Sequence, residues 1–229
     1  MELNDSYDLS KPAYVYVLDH RKVVEPENVR PETRKMELVE QFSKSYRTNT
    51  VVKSKVTYDD VKKYMKDLRQ ANCSAYSCLI AIIISPDGEK DSIMAYEGKH
   101  YSLNKTLVEN VTANKTLKGK PKIFIVDAAK QDAVETDCCY PTFASNKVDT
   151  IIFKSGCEAA NAQGNFFLTS FFDVLREKDA SDVSELSRSL ISRAQDEGHI
   201  PVPSVEATLT KPLIFGHLRV VSNATVKEK

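Results

Sequence analysis

Seven consecutive residues, Cys78-Leu-Ile-Ala-Ile-Ile-Ile84, are apolar without a break. The run falls far short of the roughly 20 residues a membrane helix needs, and no other apolar run is longer. Its length suits a strand, and side chains alternate from face to face along a strand. A strand that is apolar on both faces must be covered on both, so Cys78–Ile84 is expected at the centre of a sheet with layers on either side.

The rest of the chain supplies those layers in alternation. Residues 13–18 (Ala-Tyr-Val-Tyr-Val-Leu) read as a first strand. Residues 31–46 place Leu38, Val39, Phe42 and Tyr46 at helical spacing, and a short strand follows around 50–52. Thr57 is positioned to cap a second helix with Val61, Tyr64, Met65 and Leu68 on one face and Asp59 and Asp60 at its positive end. Residues 92–102 form a hairpin pattern turning at Glu97-Gly98, a helix is expected near 103–111, and a strand at 123–126. Residues 137–147 have no periodicity and read as an exposed loop. A strand at 150–153 precedes a helix bearing Phe167, Phe171, Val174 and Leu175. The capping-box pattern Asp182-x-x-Glu185 opens another, with Val183, Leu186, Leu190 and Ala194, and a last strand is placed at 205–215. Strands alternating with helices predict an α/β fold with a largely parallel sheet and helices on both faces. No repeat or low-complexity tract interrupts it.

At 229 residues the chain can bury a sizeable core, and 41% hydrophobic with 28% charged residues is an ordinary globular composition. Its 32 basic and 32 acidic residues cancel, so no overall field favours nucleic acid or an anionic membrane. The polar, acidic start Met1-Glu2-Leu3-Asn4-Asp5 is unlike a secretory leader, and a cytoplasmic location with reduced thiols is expected. The five cysteines have no zinc spacing, so neither a metal nor another cofactor is expected. Asn-x-Ser/Thr triplets at Asn4, Asn72, Asn104, Asn110, Asn114 and Asn223 carry no weight in a cytoplasmic chain.

Local motifs narrow the class. Gly119-Lys-Pro-Lys-Ile-Phe-Ile-Val126 resembles the caspase run Gly-Lys-Pro-Lys-Leu-Phe that leads into the catalytic nucleophile. Val134-Glu-Thr-Asp137 resembles the Ile-Glu-Thr-Asp at which caspase large subunits end. Leu209-Thr-Lys-Pro-Leu-Ile-Phe215 is similar to the family's closing strand, and Arg30-x-x-Thr33 to its Arg-x-Gly-Thr. The resemblance runs from about residue 12 to 216. It implies a six-stranded, mostly parallel sheet whose last strand is antiparallel. It also implies one domain divided into a large-subunit-like part (12–137), a linker (138–148), a small-subunit-like part (149–216) and a tail (217–229), with no prodomain. Dimerisation through the last strand is implied as well.

The same resemblance identifies what is missing. Active caspases carry Gln-Ala-Cys-x-Gly after this strand, and here the stretch reads Asp127-Ala128-Ala129-Lys130-Gln131. Ala129 stands in the cysteine position and has no thiol. Asp87, followed by Gly88 and Glu89, falls where the family has its His, and a carboxylate does not replace an imidazole that exchanges protons near neutrality. Because the flanking residues have changed too, the loss reads as natural. In the pocket for the substrate aspartate, Arg30 keeps one arginine while Asp127 replaces the Gln and would repel an incoming carboxylate. The loop at 154–164 lacks the family's Trp and second Arg. No pattern joins Cys138, Cys139 or Cys157 to His20, His100, His199 or His217 as a relocated site.

The resemblance therefore implies a non-enzyme: a pseudocaspase that regulates an active caspase in apoptosis by heterodimerisation, activation being the favoured sign. Self-association is the other expected partnership. Weighed beside it are a decoy or scaffold that sequesters apoptotic caspases, and an enzyme of another kind reusing the fold. Asp137 is a candidate processing site. Leu209, Lys211, Leu213, Ile214 and Phe215 are the candidate dimer interface, since an apolar Leu213-Ile214-Phe215 patch would need covering.

Overall fold

The computed structural model describes residues 6–21, 31–89, 91–128, 147–156, 166–198 and 202–220. In chain order the elements are β1 (Ala13–Asp19), α1 (Pro31–Ser45), β2 (Thr48–Ser54), α2 (Tyr58–Gln70), β3 (Cys78–Ile84), β4 (Gly88–Glu89), β5 (Ser92–Met94) and β6 (His100–Ser102). They continue through α3 (Glu109–Thr112), β7 (Lys122–Asp127), β8 (Thr150–Lys154), α4 (Phe166–Lys178), α5 (Val183–Asp196) and β9 (Ser204–Ala207). Six strands form one sheet in the order β2-β1-β3-β7-β8-β9, and β4-β5-β6 make a small antiparallel sheet. All pairings in the large sheet are parallel except that of β8 with β9.

Every residue of Cys78–Ile84 is buried, as its unbroken apolarity requires. One row of side chains runs straight across the sheet: Val17 beside Ile82, Ile82 beside Ile125, Ile125 beside Phe153. That row belongs to a core closed by α1, α4 and α5, with Leu38, Phe42, Phe171, Leu175, Leu186 and Leu190 facing it. The alternate residues Leu18, Ile83, Phe124 and Val126 face a second core against Val61, Met65 and Leu68 of α2 and Leu107 and Val111 farther along. The segment before α3, Leu103–Val108, winds as a π-helix, so the helix expected at 103–111 is composite.

Caps are where propensity and structure agree most closely. Thr57 accepts from the Asp60 N–H and the Asp60 carboxylate bonds back to the Thr57 N–H, a complete capping box on α2. At α5 the expected box is half made: Asp182 Oδ1 caps Ser184, but Glu185 turns to Lys178 at 3.0 Å.

The last strand is shorter than the sequence implies. It ends at Ala207, and Phe215 instead opens a 3-10 turn, Phe215–Leu218. Thr208 still bonds to Thr150 of β8 and to Asp149, and beyond it the backbone finds partners away from the sheet. Pro212, which has no N–H, gives its carbonyl to the Tyr7 N–H, and the Leu213 N–H donates to Asp182 Oδ2. Leu213 and Phe215 are 0% and 1% exposed, sealed in the first core by α4 and α5. The expected exposed patch is thus corrected: these two residues are covered by their own chain. Ile214 and Leu209 are half-buried and Lys211 is exposed.

Candidate functional site

In a sheet of this order the chain reverses direction of growth between β1 and β3, and ligands of such folds bind outside the carboxyl ends of the strands at that switch. The rim there carries Asp19 of β1, Ile84 of β3 and Asp127 of β7 in one register row, which puts two carboxylates on the α1 side, two strand spacings or about 10 Å apart. Both are buried, Asp19 at 3% and Asp127 at 1% exposure. Each is answered from within the chain. Arg21 grips Asp19 through Nε at 2.9 Å and Nη2 at 2.8 Å. Lys35, itself 8% exposed, descends from the first turns of α1 to place Nζ 2.8 Å from Asp127 Oδ2. That contact lies outside hydrogen-bonding angles and joins the two residues by charge alone.

Asp127 was expected to repel a substrate carboxylate. In the fold its carboxylate is paired with Lys35, whose Nζ lies 2.8 Å away. Neither Lys35 nor Arg21 stood out in the sequence, because nothing in the spacing of a helical lysine says which strand end it will reach.

Beyond the strand ends the rim is laced by backbone bonds. The Ser85 N–H donates to Asp127 O at 2.9 Å, Ser155 N–H to Val126 O at 2.9 Å, and Ala128 N–H to Ser155 Oγ at 3.0 Å. Ser85 Oγ lies 2.7 Å from Asp87 O and 2.8 Å from Met94 O, which fixes the turn carrying Asp87. The Asp87 Oδ1 is buried and accepts no hydrogen bond. A Cβ on Gly88 would stand 2.7 Å from the Ala128 Cβ and 3.1 Å from the carbonyl oxygens of Ala128 and Ser92, so only glycine allows this approach. The structure therefore seats the Asp87-Gly88 turn against the residue before Ala129. Ala129 itself, Arg30 and Asp137 lie outside the described residues, as do Cys138, Cys139, Cys157 and His199.

The free thiols among the described residues lie away from this rim, Cys78 opening β3 at the opposite end of the sheet. Cys73 and Cys78 are buried free thiols; burial raises both, Cys78 to about 12. His20 is fully buried, with Nδ1 2.8 Å from the Val56 carbonyl and Nε2 2.7 Å from the Tyr101 hydroxyl. A carbonyl only accepts, so Nδ1 carries the proton and Nε2 accepts from Tyr101, which leaves His20 no free lone pair. No three His, Cys, Asp or Glu side chains gather as a metal-holding group, and no helix is long and apolar enough to cross a membrane, among the described residues.

Burial holds the His20 pKa below its ordinary value, against opposing contributions from the Val56 carbonyl, Asp19 and Glu97. The unfolded chain binds a proton near pH 6.5 and the folded one only at lower pH, so stability is whole above about 6.5 and falls as pH drops below it toward the folded-state pKa. The slope from this group reaches at most about 1.4 kcal/mol per pH unit. Urea unfolding between about pH 7.5 and about pH 5.5 should show a steeper loss for the wild type than for His20→Gln. Parallel curves for the two would mean that His20 takes up its proton in the folded state without penalty.

A family model of the caspase domain matches residues 30–214. A comparison with curated proteins finds no match. Among solved structures the chain is similar to one described as the structure of pro-sf-caspase-1, with 16% identity and a TM-score of 0.67 over 94% of this chain and 95% of that one. At that identity the likeness is one of fold, and the six-stranded sheet with its antiparallel last strand is a caspase-like α/β sheet. Since the family model spans from the residue before α1 to Ile214, beyond the last strand, the chain belongs to the caspase-domain family.

Proposed function

We propose that this chain is a non-catalytic caspase homologue, acting in the cytoplasm in apoptosis, that regulates an active caspase by pairing with it through the edge of β9, with activation as the favoured sign. The observation that carries the reading is the Lys35–Asp127 pair. It fills, with the chain's own charges, the rim position at which the resemblance puts a substrate-binding Gln. Two features of the sequence agree with it: Ala129 offers no thiol, and Asp87 replaces the imidazole beside it. A protein that has closed its own site but kept the sheet retains one thing an active relative can use, namely a strand edge. A caspase monomer gains order when a partner binds its ordered form in preference to its disordered one, and that requires no chemistry from the partner.

The test is direct. Pure protein is mixed with a panel of active caspases, and complex formation by size-exclusion chromatography is measured alongside acidic tetrapeptide cleavage. A complex with raised cleavage is expected. Lowered cleavage in the complex would make the protein an inhibitor, absence of any complex would sink the proposal, and cleavage by the protein alone would return it to the enzymes.

A further inference from the structure

β2 ends the large sheet on the side opposite β9, and its outer edge has no ladder partner among the described residues. Native folds blunt such an edge with a proline, a bulge, a short strand or an outward lysine. Thr48-Asn-Thr-Val-Val-Lys-Ser54 has no proline, and its seven residues pair one for one with Ala13–Asp19, without a bulge. Its single charge, Lys53, places Nζ 5.1 Å from the centre of the Tyr64 ring on α2, which draws the ammonium back over the sheet. Val52, beside Val17 on the side of the first core, is 43% exposed. The Ala13 N–H donates to Arg47 O, so Asn49, Val51 and Lys53 turn their backbone groups to β1 in the same phase. Those of Thr48, Thr50, Val52 and Ser54 face outward, ready to be paired.

We propose that this edge pairs antiparallel with β2 of a second copy of the chain, about a two-fold axis at Val51, joining two six-stranded sheets into one. Val51 is the middle of the strand, so this register uses all seven residues. Thr50 and Val52, both facing outward, then form the hydrogen-bonded pairs on either side of the axis. Val51 meets Val51, and the exposed Val52 is covered by Thr50 of the other copy, both favourable β-branched contacts. Asn49 meets Lys53. Its Nδ2 donates to the Tyr76 hydroxyl at 2.6 Å, which leaves Oδ1 to accept from the ammonium. Thr48 meets Ser54, and no like charges are opposed within the strand. Just beyond it Arg47 would face Lys55. Arg47, however, donates to the carbonyls of Leu9, Ser10 and His217, and Lys55, at φ 54°, turns out of the strand. The inference goes beyond the reading of β9. A dimer joined through β2 carries one β9 edge at each end, so one assembly can engage two partners.

Asn49 is the position to change, because it is exposed and lies opposite Lys53 twice across the axis. Sedimentation velocity over a concentration series at neutral pH is run on the wild type, Asn49→Asp and Asn49→Lys, with circular dichroism confirming that each is folded. The wild type should dimerise reversibly. Asn49→Asp, which sets a carboxylate against each Lys53, should tighten the dimer about fivefold, and Asn49→Lys, which opposes like charges, should weaken it about fivefold. A wild type that stays monomeric throughout would overturn the proposal and leave the edge to a strand of another protein. A dimer of equal strength in all three would overturn it as well, by placing the contact elsewhere on the molecule.

Discussion

Replacing Lys35 with methionine should destabilise the fold by about 3–5 kcal/mol, a large part of the total of roughly 5–15 kcal/mol that holds a typical domain together. The reason is the carboxylate left behind. Asp127 is 1% exposed at the end of a central strand, and without the ammonium it is a buried, uncompensated charge. The double variant Lys35→Met/Asp127→Leu should regain most of that loss. The pair itself contributes little net stability, because its 2.8 Å contact lacks hydrogen-bond alignment while both groups have given up water. Urea unfolding followed by far-ultraviolet circular dichroism should show the midpoint falling for the single variant at unchanged m-value and returning in the double. A single variant within about 1 kcal/mol of the wild type would mean that water reaches Asp127, and that the rim is an open site. Should the double variant also acquire affinity for an acidic peptide, the plug would have been masking a usable pocket.

How much of this was legible depends on whether the signal is local. Cys78–Ile84 announced a central strand because unbroken apolarity has one structural meaning, and Thr57 announced a helix start because capping is decided within four residues. The order of strands and helices followed from alternation. The Lys35–Asp127 pair was invisible because it joins a helix to a strand distant in the sequence, and register with α1 is set only when the first core closes around Phe42 and Phe171. The burial of one carboxylate oxygen of Glu206, in the strand β9, was hidden for a similar reason: an acidic residue in a strand reads as solvated, and which of its atoms is covered is a property of the fold. The length of β9 was overestimated because an apolar run looks the same whether it continues a ladder or dives into the core. Here the carbonyl of Pro212 goes to Tyr7, and the chain leaves the sheet before reaching it.

That last misreading changes how an interface should be tested, and it leads to the second large effect. Phe215→Ala is expected to cost about 3–5 kcal/mol, the range for removing a large aromatic side chain from a close-packed core. Phe215 is 1% exposed and shares its core with Leu213 and Leu218 under α4 and α5, and the neighbouring Gly216 backbone is held by Asp179 O, leaving the cavity little room to collapse. For a chain of this length the melting temperature should fall by roughly 6–20 °C. Lys211→Glu, on the same segment but exposed, should stay within about 0.5 kcal/mol of the wild type. The contrast matters because a Phe215 or Leu213 variant that no longer binds a partner would have lost its fold first, and its silence would say nothing about an interface. Circular dichroism melts of Phe215→Ala and Lys211→Glu side by side decide the point. Equal melting temperatures would show that Phe215 is exposed after all and restore it to the interface, whereas a drop confined to Phe215→Ala confirms its burial and directs interface tests to exposed positions such as Lys211.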